Sequence, residues 1–159
     1  MRLATWNVNS IRSRADRVEA WLQRSDVDVL ALQETKCKDE QFPEERFRAL
    51  GYDVAHVGHS QWNGVALLSR VGLADVEAGF PGMPSWSSKE GVEPAREARA
   101  LGATCGGVRV WSLYVPNGRT LTDPHYQYKL QWLEALRTAA TARIIASGSI
   151  SKAAWTRLR

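Results

Sequence analysis

Two short stretches decide how this chain is read: Thr5-Trp6-Asn7-Val8-Asn9-Ser10 and Leu32-Gln33-Glu34-Thr35-Lys36. Each closes an apolar run of strand character, and each ends in polar groups that a dry core would reject. Residues 2–8 read as a buried strand, apolar at Leu3, Ala4, Trp6 and Val8. Val18, Trp21 and Leu22 then recur at helical spacing, with Arg12, Arg14, Arg17 and Arg24 on the other faces, so residues 14–24 form an amphipathic helix. Residues 27–32 are apolar almost without interruption, as in a strand buried on both faces. Strand, helix and strand within about thirty residues make a βαβ unit with parallel strands. Parallel neighbours bring Asn7 and Glu34 to one sheet edge, the carboxyl edge, where open α/β sheets bind ligands. At that edge Glu34 is a hard oxygen donor suited to Mg²⁺ or Mn²⁺, or else a solvated strand-end carboxylate. Asn7 either orients a metal-bound water or a phosphate, or simply forms the turn.

Working outward, Pro43 takes a first helical position, residues 44–50 form a short helix closed by Gly51, and 52–57 and 65–69 are strands. Residues 79–95 have no period and read as a surface loop. Residues 99–104 and 108–114 pair as a hairpin across Cys105-Gly106-Gly107, and Val115-Pro116-Asn117-Gly118 turns the chain. Asp123-Pro124 opens a helix whose apolar positions include Tyr128, Leu130, Trp132, Leu133, Ala135 and Leu136, and Ile144-Ile145-Ala146 opens a further strand. Tyr114 either packs or donates its phenol to a phosphate. Arg99 reads as a solvated strand charge, and Lys36 and Lys38 as surface cations able to hold a phosphate backbone.

Composition narrows the class. The 159 residues suffice for one domain with a real core, and 44% hydrophobic with 24% charged residues is ordinary for a soluble protein. No apolar run is long enough to cross a membrane and no signal peptide is read, so the expected location is cytoplasmic, with no membrane partner. Cys37 and Cys105 lack metal-ligand spacing and are expected as reduced thiols. The net charge of +4 permits a polyanionic partner without demanding one. Among seven Trp, one or two exposed rings can stack on bases. His56, His59 and His125 show no ligand spacing, and no Ser–His–Asp pattern or Gly-rich phosphate loop is present.

Ala4-Thr5-Trp6-Asn7-Val8-Asn9-Ser10-Ile11-Arg12, Asp28-Val29-Leu30-Ala31-Leu32-Gln33-Glu34-Thr35-Lys36, Gly64-Val65-Ala66-Leu67-Leu68-Ser69 and Leu113-Tyr114-Val115-Pro116-Asn117-Gly118 follow in the order they have in exonuclease III. The chain resembles the front half of that family, within the endonuclease/exonuclease/phosphatase superfamily, up to about residue 140. The resemblance implies a magnesium-dependent phosphodiesterase of DNA base excision repair, with Mn²⁺ as the alternative ion. Such an enzyme digests 3′ ends of double-stranded DNA and cuts 5′ to abasic sites. It also implies that Glu34 binds the metal, that Asn7 orients metal or water, and that Tyr114 contacts the scissile phosphate. Arg12, Lys36, Asn117 and Gly118 then lie near DNA. The implied fold is α/β, the N-terminal half of a two-sheet sandwich with mixed strands and flanking helices.

The tail departs from the family. Where the family carries Gly-Asp-x-Asn, this chain has Gly148-Ser149-Ile150-Ser151, so Ser149 and Ser151 take the Asp and Asn positions. A hydroxyl with a pKa far above neutrality cannot replace a carboxylate base. The family's Ser-Asp-His ending, whose His and Asp stabilise the phosphate, has no counterpart. Residues 141–159 read as unrelated sequence. The expectations are a single truncated domain over 1–159, little hydrolysis by this chain alone, and an uncovered sheet face that favours self-association. Two alternatives stay open: a non-enzymatic DNA- or partner-binding remnant, and a phosphoesterase of the same superfamily acting on a lipid or sugar phosphate.

Overall fold

The computed structural model describes residues 1–87 and 91–146. Four strands form a mixed sheet in the order β1-β2-β4-β3: β1 (Leu3–Asn7), β2 (Val29–Gln33), β4 (Val65–Ser69) and β3 (Asp53–Val57). β1 runs parallel to β2 in the register Leu3↔Val29 to Asn7↔Gln33, and the other pairs are antiparallel. A second, antiparallel sheet has the order β5-β6-β7: β5 (Ala74–Ala78), β6 (Ala100–Cys105) and β7 (Val108–Leu113). Three helices flank them: α1 (Ala15–Arg24), α2 (Glu44–Arg48) and α3 (Pro124–Ala146).

The period-2 alternation of β2 and β4 builds the layers. Leu30, Leu32, Ala66 and Leu68 face α1 and α2, meeting Val18, Leu22 and Phe47. Val29, Ala31, Val65 and Leu67 face the second sheet, meeting Leu101, Ala103 and Cys105. On the far side of that sheet, Ala100 and Trp111 pack with Phe80, Met83 and the α3 residues Tyr128 and Trp132. The order of layers is helix, sheet, sheet, helix.

Several sequence expectations are corrected. The face of the first sheet expected to lie bare is covered by β6 and β7, because the chain itself supplies the second sheet. What stays open are the two edges: among the described residues no strand pairs the outer side of β1, whose Leu3 is 55% exposed, or of β3. β1 is thus an edge strand, and its residues alternate between exposed and half-buried. The segment Ile144-Ile145-Ala146 continues α3 instead of opening a strand. An apolar run this short suits either state. Here the preceding Arg137-Thr138-Ala139-Ala140-Thr141-Ala142-Arg143 contains no breaker, and the Thr141 hydroxyl bonds back to Arg137 O at 2.8 Å. Residues 79–87 are a loop, but Phe80 and Met83 anchor it in the core and Trp86 bridges to Ala95. Pro43 precedes α2 as its N-cap. β5 is mostly exposed and has no apolar run, so no period in the sequence marks it. The Ser149 and Ser151 positions lie outside the described residues. Cys37 and Cys105 are free and buried. Among the described residues no helix is long and apolar enough to cross a membrane.

Candidate active site

The parallel register sets the C-terminal ends of β1 and β2 side by side, and the chain leaves both through left-handed turns. Asn9, Ser10, Glu34 and Lys36 all have positive φ. Such residues persist only where their surroundings hold them. Here backbone hydrogen bonds stitch three turns together: Ser10 N to Glu34 O at 2.7 Å, Ile11 N to Thr35 O at 2.9 Å, and Lys36 N to Asn63 O at 2.9 Å.

This stitching brings the anticipated pair into contact. The Asn7 amide nitrogen donates to Glu34 Oε1 at 2.7 Å, and the Lys36 ammonium lies 3.0 Å from Oε2. The Asn7 oxygen accepts the Asn9 backbone N–H at 3.1 Å, which turns its NH₂ toward the carboxylate. As arranged here, Asn7 orients Glu34. Lys36 also donates to the Asn9 side chain. Burial alone would raise the Glu34 pKa, but hydrogen bonds from Asn7, Lys36 and Tyr114 outweigh it and hold the carboxyl below its usual range. Burial and the facing Glu34 push the Tyr114 phenol up, so it stays a donor at neutral pH.

Arg99 is not the solvated charge expected from sequence. It is 5% exposed, its Nε donates to Glu97 Oε2 at 2.6 Å, and its guanidinium sits 4.9 Å above the centre of the Tyr114 ring. Glu97 in turn accepts from Asn63 Nδ2 at 2.8 Å. Burial would raise Glu97, yet Arg99 and Asn63 bring it below its ordinary value. The ion pair Glu97–Arg99 therefore braces Tyr114 from behind and Asn63 from the side. An i,i+2 charge pair gives no such hint in sequence.

Beside this brace opens a cleft of about 610 Å³, lined among others by His59, Trp62, Trp86, Arg96, Arg119 and His125. Trp62 is 65% exposed, the expected exposed ring. His125 is buried against Trp86 and Tyr128. Asn117 lies exposed on the cleft rim with its side-chain oxygen on Arg119 N at 2.8 Å. Gly118 is buried where a Cβ would crowd the Tyr126 ring. Arg12 is exposed on the turn after Ile11, near enough to Cys37 for its charge to act there, although burial still pushes that thiol up to about 11. Glu34, Asn7, Lys36 and Tyr114 thus form one cluster, while Asn117 lines the neighbouring cleft and Gly118 is buried next to it in the chain, against Tyr126.

Among the described residues no group of three or more His, Cys, Asp or Glu could cage a metal ion. The donor the cluster presents is one ionised carboxylate, a hard oxygen ligand oriented by the Asn7 amide. That suits Mg²⁺, which keeps several waters and takes one or two carboxylates plus substrate phosphates.

Residues 4–149 match the Endonuclease/Exonuclease/phosphatase family. The chain belongs to that family. Within it, the chain is similar to exodeoxyribonuclease III of Haemophilus influenzae, 40% identical over 81 residues covering 51% of this chain and 30% of that protein. Among solved structures it is similar to a 3′ phosphatase, NExo, from Neisseria bound to a product DNA hairpin, with a TM-score of 0.80, 34% identity, and 91% of this chain and 52% of that one covered. It is also similar to an AP endonuclease from Archaeoglobus fulgidus, with a TM-score of 0.76, 40% identity, and 87% and 51% covered. The chain thus spans about half, or less, of each relative's own length. These likenesses make it an exonuclease III-like member of the family, and the observed sandwich is the family's fold.

Proposed function

We propose that this chain carries the metal-binding and phosphate-contacting side of a divalent-metal-dependent DNA phosphodiesterase, whose substrates are 3′ ends and abasic sites in double-stranded DNA. The observation that supports it best is the single cluster in which an ionised Glu34, oriented by Asn7, faces the protonated Tyr114 phenol. Glu34 would hold the ion, which when bound polarises a phosphoryl oxygen. Asn7 fixes the carboxylate's direction. Tyr114 donates to a phosphate oxygen. Lys36 and Arg12 attract the DNA backbone, and Asn117, with the buried Gly118 holding its turn, shapes the rim over which it runs. Trp62, exposed in a cleft whose lining also includes Arg96 and Arg119, offers a stacking face for a base.

The chain alone is proposed to bind DNA and to cleave it little, because Ser149 and Ser151 offer no base near neutral pH where the family has Asp and Asn. The test is incubation of the purified chain with Mg²⁺ and an abasic-site duplex, beside a gel shift at low and high salt. The expected result is a salt-sensitive shift without EDTA-sensitive cleavage. Cleavage at the rate of an intact homologue would overturn the inactivity, and no shift at low salt would overturn the DNA reading. Preference for lipid or sugar phosphates over DNA as competitors would move the site to another substrate class.

A further inference from the structure

The turn that presents Glu34 and Lys36 is strained on both sides of Thr35, with φ of +55° and +51°. Residues held in such regions cost roughly 1–3 kcal/mol each and need neighbours that over-determine them. One of those neighbours is a side chain from β3. His56 Nε2 lies 2.8 Å from the Thr35 hydroxyl and 4.0 Å from Cys37 Sγ. His56 Nδ1 lies 2.8 Å from Asp39 Oδ1, off the line of the N–H bond, and the same oxygen accepts Gly58 N–H at 2.8 Å. The Phe42 ring stacks on the imidazole at 4.3 Å.

A carboxylate only accepts, so the Nδ1 proton faces Asp39 and Nε2 is left to accept from the Thr35 hydroxyl. Burial favours the neutral ring that this arrangement needs, against the pull of Asp39. Thr35 is itself fully buried, with Gly64 pressed so close that a Cβ there would overlap Oγ1. The hydroxyl has the His56 nitrogen at 2.8 Å and the Cys37 thiol as its side-chain partners, and the histidine is the stronger acceptor of the two.

We propose that His56 is a positioning residue for the Glu34 turn: through the Thr35 hydroxyl it fixes the direction in which Glu34 offers its carboxylate to a divalent ion. This rests on the assignment of Glu34 as metal ligand made above. The assay is Mn²⁺ binding to the full chain, followed by the loss of the free-ion electron paramagnetic resonance signal, with circular dichroism recorded on every variant. Glu34→Gln is expected to abolish the bound fraction. His56→Phe, which keeps the stack on Phe42, and Thr35→Val, which keeps the shape of Thr35, are each expected to weaken Mn²⁺ binding about tenfold, the usual scale for groups that orient a ligand. The double variant should bind no worse than the weaker single one, because both remove one link. His56→Gln, whose amide oxygen can accept from Thr35, should recover most of the affinity.

Wild-type binding by Glu34→Gln would overturn the metal assignment itself. Loss in Glu34→Gln with wild-type affinity in both His56→Phe and Thr35→Val would overturn the positioning role alone. So would additive losses in the double variant, or a lowered melting temperature in His56→Phe with unchanged affinity. Where His56→Phe does not fold, Thr35→Val decides.

Discussion

Glu34 shows how burial and hydrogen bonding compete at one carboxylate. Burial raises its pKa, and Asn7, Lys36 and Tyr114 lower it by more, so the folded value sits under the ordinary 4.5. Because the folded pKa is the lower one, the ionised group stabilises the fold above pH 4.5, and that contribution is lost as pH falls through the folded value. The loss of Mn²⁺ affinity on lowering the pH should therefore have its midpoint below 4.5. A midpoint above 4.5 in a pH titration of binding would show that burial dominates. Tyr114 separates packing from chemistry. Its ring meets the core between the sheets and the Arg99 guanidinium, and only its hydroxyl reaches Glu34. Tyr114→Phe is expected to leave the melting temperature nearly unchanged while weakening DNA binding roughly tenfold, the scale of a hydrogen bond to a charged group. Unchanged DNA affinity in a gel-shift titration would reduce Tyr114 to a packing residue.

At the scale of elements, the site is a junction of three turns: the exits of β1 and β2 and the entry to β4. Gly64 is the keystone of that junction. It has φ +90°, its N–H donates to Ala98 O at 2.9 Å, and it lies against the Thr35 hydroxyl. Gly64→Ala must strain the backbone and displace Thr35, so thermal or urea unfolding should show a loss of about 1–3 kcal/mol. A neutral result would mean that Thr35 can shift freely, which its burial among His56, Gly64 and the backbone argues against. α1 and β2 were legible because one face or both faces of the element are buried, which writes a period into the sequence. β5 wrote none, and α3 ran past its expected end because nothing in residues 137–146 stops a helix.

At the scale of the molecule, both faces of the first sheet are covered, while among the described residues its edge strands β1 and β3 have no outer strand partner. β1 offers unpaired backbone groups beside the exposed Leu3, the kind of edge that pairs with other chains. Self-association is accordingly expected to run through β1. Sedimentation velocity should show a weight-average mass that rises with concentration, and Leu3→Lys, which puts a charge on the edge, should suppress the rise. An equal rise in the variant would move the contact elsewhere on the surface.

The sequence by itself determined the βαβ start and the meeting of Asn7 with Glu34, because hydrophobic period and parallel connection are local consequences of residue order, and its motifs carried the resemblance to the family. Tertiary structure alone decided that Arg99 is buried under Tyr114, that His56 holds Thr35, that Trp62 is the exposed ring beside the cleft, and that β7 roofs the first sheet. Those contacts join residues far apart in the chain. Their charge, burial and direction depend on which surfaces meet, and no local pattern carries that.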